Sequence, residues 1–112
     1  RSGQAAGGVY TVALGRPASL HGYPIAGAMG VESWAAFSGA DARAVVAGAI
    51  AVRAVELQPV LRALRGGGLS VTAIHNHMTM EEPRLFFVHF WGSGSTHVLA
   101  TAVRGALAAQ EK

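Results

Sequence analysis

Three of the five histidines fall within fifteen residues, in the run His75-Asn76-His77-Met78-Thr79-Met80-Glu81-Glu82-Pro83 and then at His89. Side chains two apart on a strand share a face, so His75 and His77 project together if this segment is extended. On a following strand Leu85, Phe87, His89 and Trp91 share one face, and a hairpin brings His89 opposite the His-x-His pair. The connecting loop supplies a carboxylate, Glu81 or Glu82. Three imidazoles and a carboxylate are a donor set for Zn²⁺, Cu²⁺, Ni²⁺, Mn²⁺ or Fe²⁺. The metal-ligand candidates are therefore His75, His77, Glu81 and His89. The plainer reading is an exposed histidine face, with His89 a core histidine bonded to a carbonyl.

The spacing H-x-H-x₃-E with a later histidine is similar to the cupin metal motif, without the glycines that usually precede it. Met78 and Met80 bracket the loop and offer thioether sulfur to Cu(I), although gap filling is the commoner use of methionine. Phe87 and Trp91 share the histidine face and can wall a small apolar pocket. Arg84, beside Pro83, suits either an anionic ligand or a salt bridge with Glu82. Gly92-Ser93-Gly94-Ser95 precedes a helix and reads as a turn or an anion cradle. His21 reads as a turn residue and His97 as a surface residue in a first helical turn. No serine sits in a nucleophile elbow, and the absence of cysteine excludes thiol catalysis, disulfides and thiolate metal sites.

Positioning these residues needs strands and helices that the pattern supplies. Val9–Leu14, Leu20–Ile25, Ser33–Phe37 and Arg43–Val52 read as strands from their β-branched and aromatic content, with His21-Gly22 as a bend and Ser38–Asp41 as a turn. Glu56–Leu64 reads as a helix, with Leu57, Val60, Leu61 and Leu64 on one face and Pro59 in its first turn; Gly66-Gly67-Gly68 ends it. Leu69–His77 and Arg84–Trp91 read as the histidine-bearing strands, adjacent and antiparallel. Ser95 or Thr96 caps a last helix through Ala109, with Leu99, Val103 and Leu107 at helical spacing. The expected fold is α+β, an antiparallel sheet with two helices mainly on one face. Arg1–Gly8 reads as a frayed tail, leaving one domain over 9–112.

At 112 residues, with 51% hydrophobic content and only 13% charged, the chain is neither disordered nor large enough for two cores. Its apolar runs fall short of the roughly 20 residues of a membrane helix. The net charge of +3 comes from eight arginines and one lysine without a basic run, which argues against nucleic acid. Low charge and an open strand edge favour a homodimer.

Three runs together resemble a known family. They are Leu57–Leu64, then Val71-Thr72-Ala73-Ile74-His75-Asn76-His77-Met78, then Glu81-Glu82-Pro83-Arg84-Leu85-Phe86-Phe87-Val88-His89-Phe90-Trp91. The chain is similar to the LppY/LpqO-like family, the domain of unknown function 1259, a bacterial group of lipoproteins and secreted proteins. The likeness runs from Gly7 to the last helix. It implies His75, Asn76, His77, Glu81, Pro83, Arg84 and His89 as motif positions, favours Glu81 over Glu82, and implies an extracytoplasmic location. Asn76, Arg84, Phe87 and Trp91 become substrate-side candidates. The family usually has Gly-Asp where this chain has Gly48-Ala49, and its members often carry two copies of the domain. Two functions are expected: a metal-binding module, or a small enzyme using the same pocket with a metal or with histidine and Glu81 as acid and base.

Overall fold

After Arg43, small and branched apolar residues fill the segment through Val52, and the sheet is built around it. The computed structural model describes residues 2–110. Its elements are β1 (Ser2–Ala6), β2 (Val9–Gly15), β3 (Ala18–Leu20), β4 (Tyr23–Ile25), β5 (Glu32–Ala40), β6 (Arg43–Val52), α1 (Ala54–Gly66), β7 (Ser70–Asn76), β8 (Glu81–Glu82), β9 (Phe86–Gly94) and α2 (Thr96–Ala109). A six-stranded antiparallel sheet runs β1-β2-β5-β6-β9-β7, and a three-stranded one runs β4-β3-β8. The fold is α+β, as the pattern implied.

One face of the large sheet is core. Val46, Ile50, Val52, Val88 and Phe90 pack against Val60, Leu64, Leu99, Val103 and Leu107 of the two helices. Each such side chain contributes about 1.5–3 kcal/mol on burial. Gly48 belongs to this packing, because a Cβ there would stand 2.3 Å from the Trp34 carbonyl oxygen and 2.5 Å from the Phe90 ring. A second cluster, Ala18, Ile25, Val31 and Leu85, lies under the small sheet, with Leu20 and Met78 packed against it.

Several expectations are corrected. The segment expected to fray pairs with β2 over Ser2–Ala6, joined by Gly7-Gly8 with φ of 59° and 79°. Two successive positive φ values match the two-residue hairpin turn that glycine permits. Leu20–Ile25 is two short strands rather than one, folded at His21-Gly22. α1 starts two residues before Glu56, so Pro59 lies in its second turn and has no N–H to donate to Val55. Gly92-Ser93-Gly94 is the end of β9 rather than a loop, and Gly92 is buried where a Cβ would meet Leu69 at 2.4 Å.

A buried ion pair fastens α1 to the sheet. The Arg16 guanidinium donates to both Glu56 carboxylate oxygens, at 2.5 and 3.1 Å, and to the Ala51 carbonyl at 2.8 Å. The Arg53 backbone N–H donates to Glu56 Oε1 at 2.7 Å. Burial alone would raise the Glu56 carboxyl pKa, but these hydrogen bonds and the two arginine charges outweigh it and hold the value below the ordinary 4.5.

Candidate functional site

The site lies on the sheet face turned away from the helices. β7 and β9 are adjacent and antiparallel, with Ala73 opposite His89 and His75 opposite Phe87. The register shifts between Val71 and Ala73, where β9 has no residue to match Thr72. This bulge decides which face His75 occupies. Continuing the Ser70↔Trp91 and Val71↔Phe90 pairing without it would put His75 opposite Phe86, on the core face. The extra residue restores parity and brings His75 to the face of His89, a re-aiming that bulges commonly perform.

His75 and His89 meet directly, their Nε2 atoms 2.9 Å apart and ring centroids 4.9 Å apart. The His75 Nδ1 lies 2.9 Å from the Asn76 carbonyl oxygen. A carbonyl only accepts, so Nδ1 carries the proton and the Nε2 lone pair of His75 points at His89. Asn76 therefore serves the site through its backbone oxygen. Burial first, and the neighbouring charge of His75 second, lower the His89 pKa from the usual 6.5, which keeps this ring neutral.

His77 follows the end of β7, its N–H donating to the Leu85 carbonyl at 3.0 Å. Its Nδ1 lies 2.6 Å from Glu81 Oε2. Glu81 is buried, and its Oε1 accepts from the backbone N–H groups of Met78 and Leu85 at 3.2 and 3.3 Å. Both oxygens are thus engaged within the protein, and the carboxylate holds the loop and the His77 ring in place. Phe87 packs against both imidazole sets, with centroids 5.7 Å from His75 and 5.0 Å from His77.

The structure thus brings the four metal-ligand candidates together as two pairs, His75 with His89 and His77 with Glu81. Among the described residues, no group of three or more histidine or carboxylate side chains converges on one point. His89 stands diagonally to the His-x-His pair rather than opposite it, because the register after the bulge sets it across from Ala73 and sets His75 across from Phe87. Trp91 is 45% exposed, two residues along from His89 on the same face. Arg84 does not pair with Glu82; it donates to the Thr79 carbonyl at 3.4 Å. Met80 is exposed, whereas Met78 packs into the small cluster. His21 sits in a turn and His97 on an exposed helical position, as expected. The ion pair between Arg16 and Glu56, forty residues apart, was not among the candidates. Glu56 alone reads only as a helix start, and nothing in the sequence marks Arg16 as its partner.

The face held by Ala49 has a bearing on the site. Ala49 is opposite both Trp34 and His89, so the position where the resembled family carries aspartate directly adjoins the histidine pair.

This architecture defines a class: an antiparallel α+β domain whose terminal hairpin presents paired imidazoles on the face opposite its helices. Residues 1–109 match the family described as Domain of Unknown Function (DUF1259), and the chain belongs to that family. No curated protein and no solved structure matches the chain.

Proposed function

We propose that the protein binds a divalent transition-metal ion through His75 and His89, with Cu²⁺ and Ni²⁺ the best-suited ions. The observation that carries this reading is the 2.9 Å separation of the two Nε2 atoms. Two nitrogens each ~2.0–2.1 Å from one ion lie ~2.9 Å apart at a right angle and ~3.3–3.4 Å apart at a tetrahedral angle. The pair therefore has the spacing of neighbouring ligands in a square-planar or octahedral shell, the former typical of Cu²⁺ and Ni²⁺. The His75 tautomer supports the reading, since its Nε2 is the unprotonated nitrogen. Two protein ligands leave open positions for water or a small ligand, and Trp91 and Phe87 border that space.

Calorimetric titration with Cu²⁺ and Ni²⁺ tests this. Wild type takes up one equivalent, His75→Ala and His89→Ala lose it, and His77→Ala keeps it. Absence of saturable uptake by wild type, or retention by both His75→Ala and His89→Ala, overturns the reading.

The His77 and Glu81 contact favours a second reading, a small enzyme acting without metal. A buried carboxylate on Nδ1 orients an imidazole and leaves Nε2 as a base. Hydrolysis of an activated ester by metal-free protein, lost in His77→Ala, supports it. The proposal extends to a homodimer, which the open sheet edges at β1 and β7 favour, and, following the family resemblance, to an extracytoplasmic place of action.

A further inference from the structure

The helices do not cover the whole core face of the large sheet. α1 and α2 lie over β5, β6, β9 and β7, while the same face of β1 and β2 borders a cavity of about 510 Å³ whose other wall is α2. This volume falls within the range of small-molecule sites, about 300–1,000 Å³. Register explains the apolar walls. Tyr10 pairs with Phe37 and Val12 with Ala35, so their side chains share one face, and Val103 and Leu107 meet them from the helix. At the base, the buried Ser33 hydroxyl bonds Gln110 and accepts from the Ala51 N–H, so that polar group is already satisfied. Among the described residues no buried side-chain polar atom lacks a partner.

Two charged side chains line the cavity, Arg104 and Asp41. Neither makes an ion pair among the described residues. Asp41 lies at the start of α2, where its carbonyl accepts from the Thr96 N–H at 2.8 Å. Arg104 follows Thr96 by eight residues, or ~12 Å along the helix axis.

We propose that this cavity binds an elongated apolar molecule with one anionic group, of the class of medium-chain carboxylates. Its acyl body lies between Tyr10, Val12 and Phe37 on the sheet and Val103 and Leu107 on α2. Its carboxylate pairs with Arg104, and Asp41 repels it from the other end and sets its direction. The mainly apolar lining suits an acyl body, and the single cation selects the sign of the head group. The cavity and the histidine pair lie on opposite faces of the sheet, so this site stands or falls independently of metal binding.

Titration calorimetry of the full chain with decanoate, and in parallel with decanol, decides the matter. Decanoate is expected to saturate at one equivalent, and decanol to bind more weakly. Arg104→Glu, on an exposed helix position, lowers decanoate affinity by about tenfold or more, as loss of a charged hydrogen bond does, and leaves decanol unchanged. Ala100→Trp, filling the cavity, removes both; should that variant not fold, the Arg104 comparison alone still decides. Three results overturn the proposal: no saturable uptake, equal loss of both ligands in Arg104→Glu, or a wild-type dimer that Arg104→Glu dissociates. The last would show that a second copy occupies the cavity.

Discussion

Two histidine pairs lie a few residues apart on one hairpin, with Phe87 touching both, and they are built in opposite ways. In the His77 pair the carboxylate is buried and accepts three hydrogen bonds, one from imidazole and two from backbone. In the His75 pair two nitrogens of like chemistry face each other, and one proton at most can lie between them. A loop that must turn within a few residues needs its backbone donors satisfied, and Glu81 does that. The His75 and His89 contact satisfies no such need, and β7 is an exposed edge strand at this point. A histidine cluster read from sequence as one site thus divides, in the fold, into a pair whose carboxylate is fully engaged within the protein and a pair that faces outward.

The sharpest way to break that contrast is through stability. Glu81→Ala leaves the His77 ring, the buried Leu85 N–H and the partly buried Met78 N–H without their acceptor, and is expected to cost about 3 kcal/mol. His75→Ala, on an exposed strand position, is expected to stay within about 0.5 kcal/mol of wild type. Urea denaturation at neutral pH compares them. Equal losses would mean that both pairs are structural.

Acid titration of metal-free protein separates the groups in another way. His89 has a folded pKa below 6.5, so the unfolded chain takes up its proton first. Stability from this group is complete above 6.5 and declines as pH falls through the folded value. Glu56 has a folded pKa below 4.5, so its contribution is complete above 4.5 and is lost at more acid pH. Two successive declines are expected in the denaturation midpoint. His89→Gln removes the first and Glu56→Gln the second, measured against pH from 8 to about 3.

Much of this was legible in the sequence. Leu57, Val60, Leu61 and Leu64 gave α1 its buried face, and Ser95 caps α2 by accepting from the Val98 N–H at 3.2 Å. Alternation along β9 made Phe87, His89 and Trp91 share a face. The bulge at Thr72 was not legible. Val71-Thr72-Ala73 contains no glycine or proline, and only pairing with β9 shows that one residue is surplus. The partner of Glu81 was equally hidden, since nothing in its neighbourhood tells a metal-facing carboxylate from one consumed by Met78, Leu85 and His77. β1 has weak strand character, Ser-Gly-Gln-Ala-Ala, and is extended because the edge of β2 offers it hydrogen bonds.

A substitution beside His89 sharpens the other half of the comparison. Ala49→Asp sets a carboxylate beside His89 at a position only 1% exposed. The metal-free variant is expected to be destabilised, because a buried carboxylate without a countercharge either pays for desolvation or is forced to protonate. Ni²⁺ is expected to restore more of the melting temperature in the variant than in wild type. A variant destabilised equally with and without Ni²⁺ would place Ala49 outside the metal's reach.

Electron paramagnetic resonance of the protein with one equivalent of Cu²⁺ counts the coordinated nitrogens and so reads the proposed ligand pair itself. Coupling to two imidazole nitrogens is expected for wild type and for His77→Ala, and is expected to be lost in His75→Ala and in His89→Ala. A wild-type signal that persists unchanged in the His75→Ala/His89→Ala double variant would contradict the account.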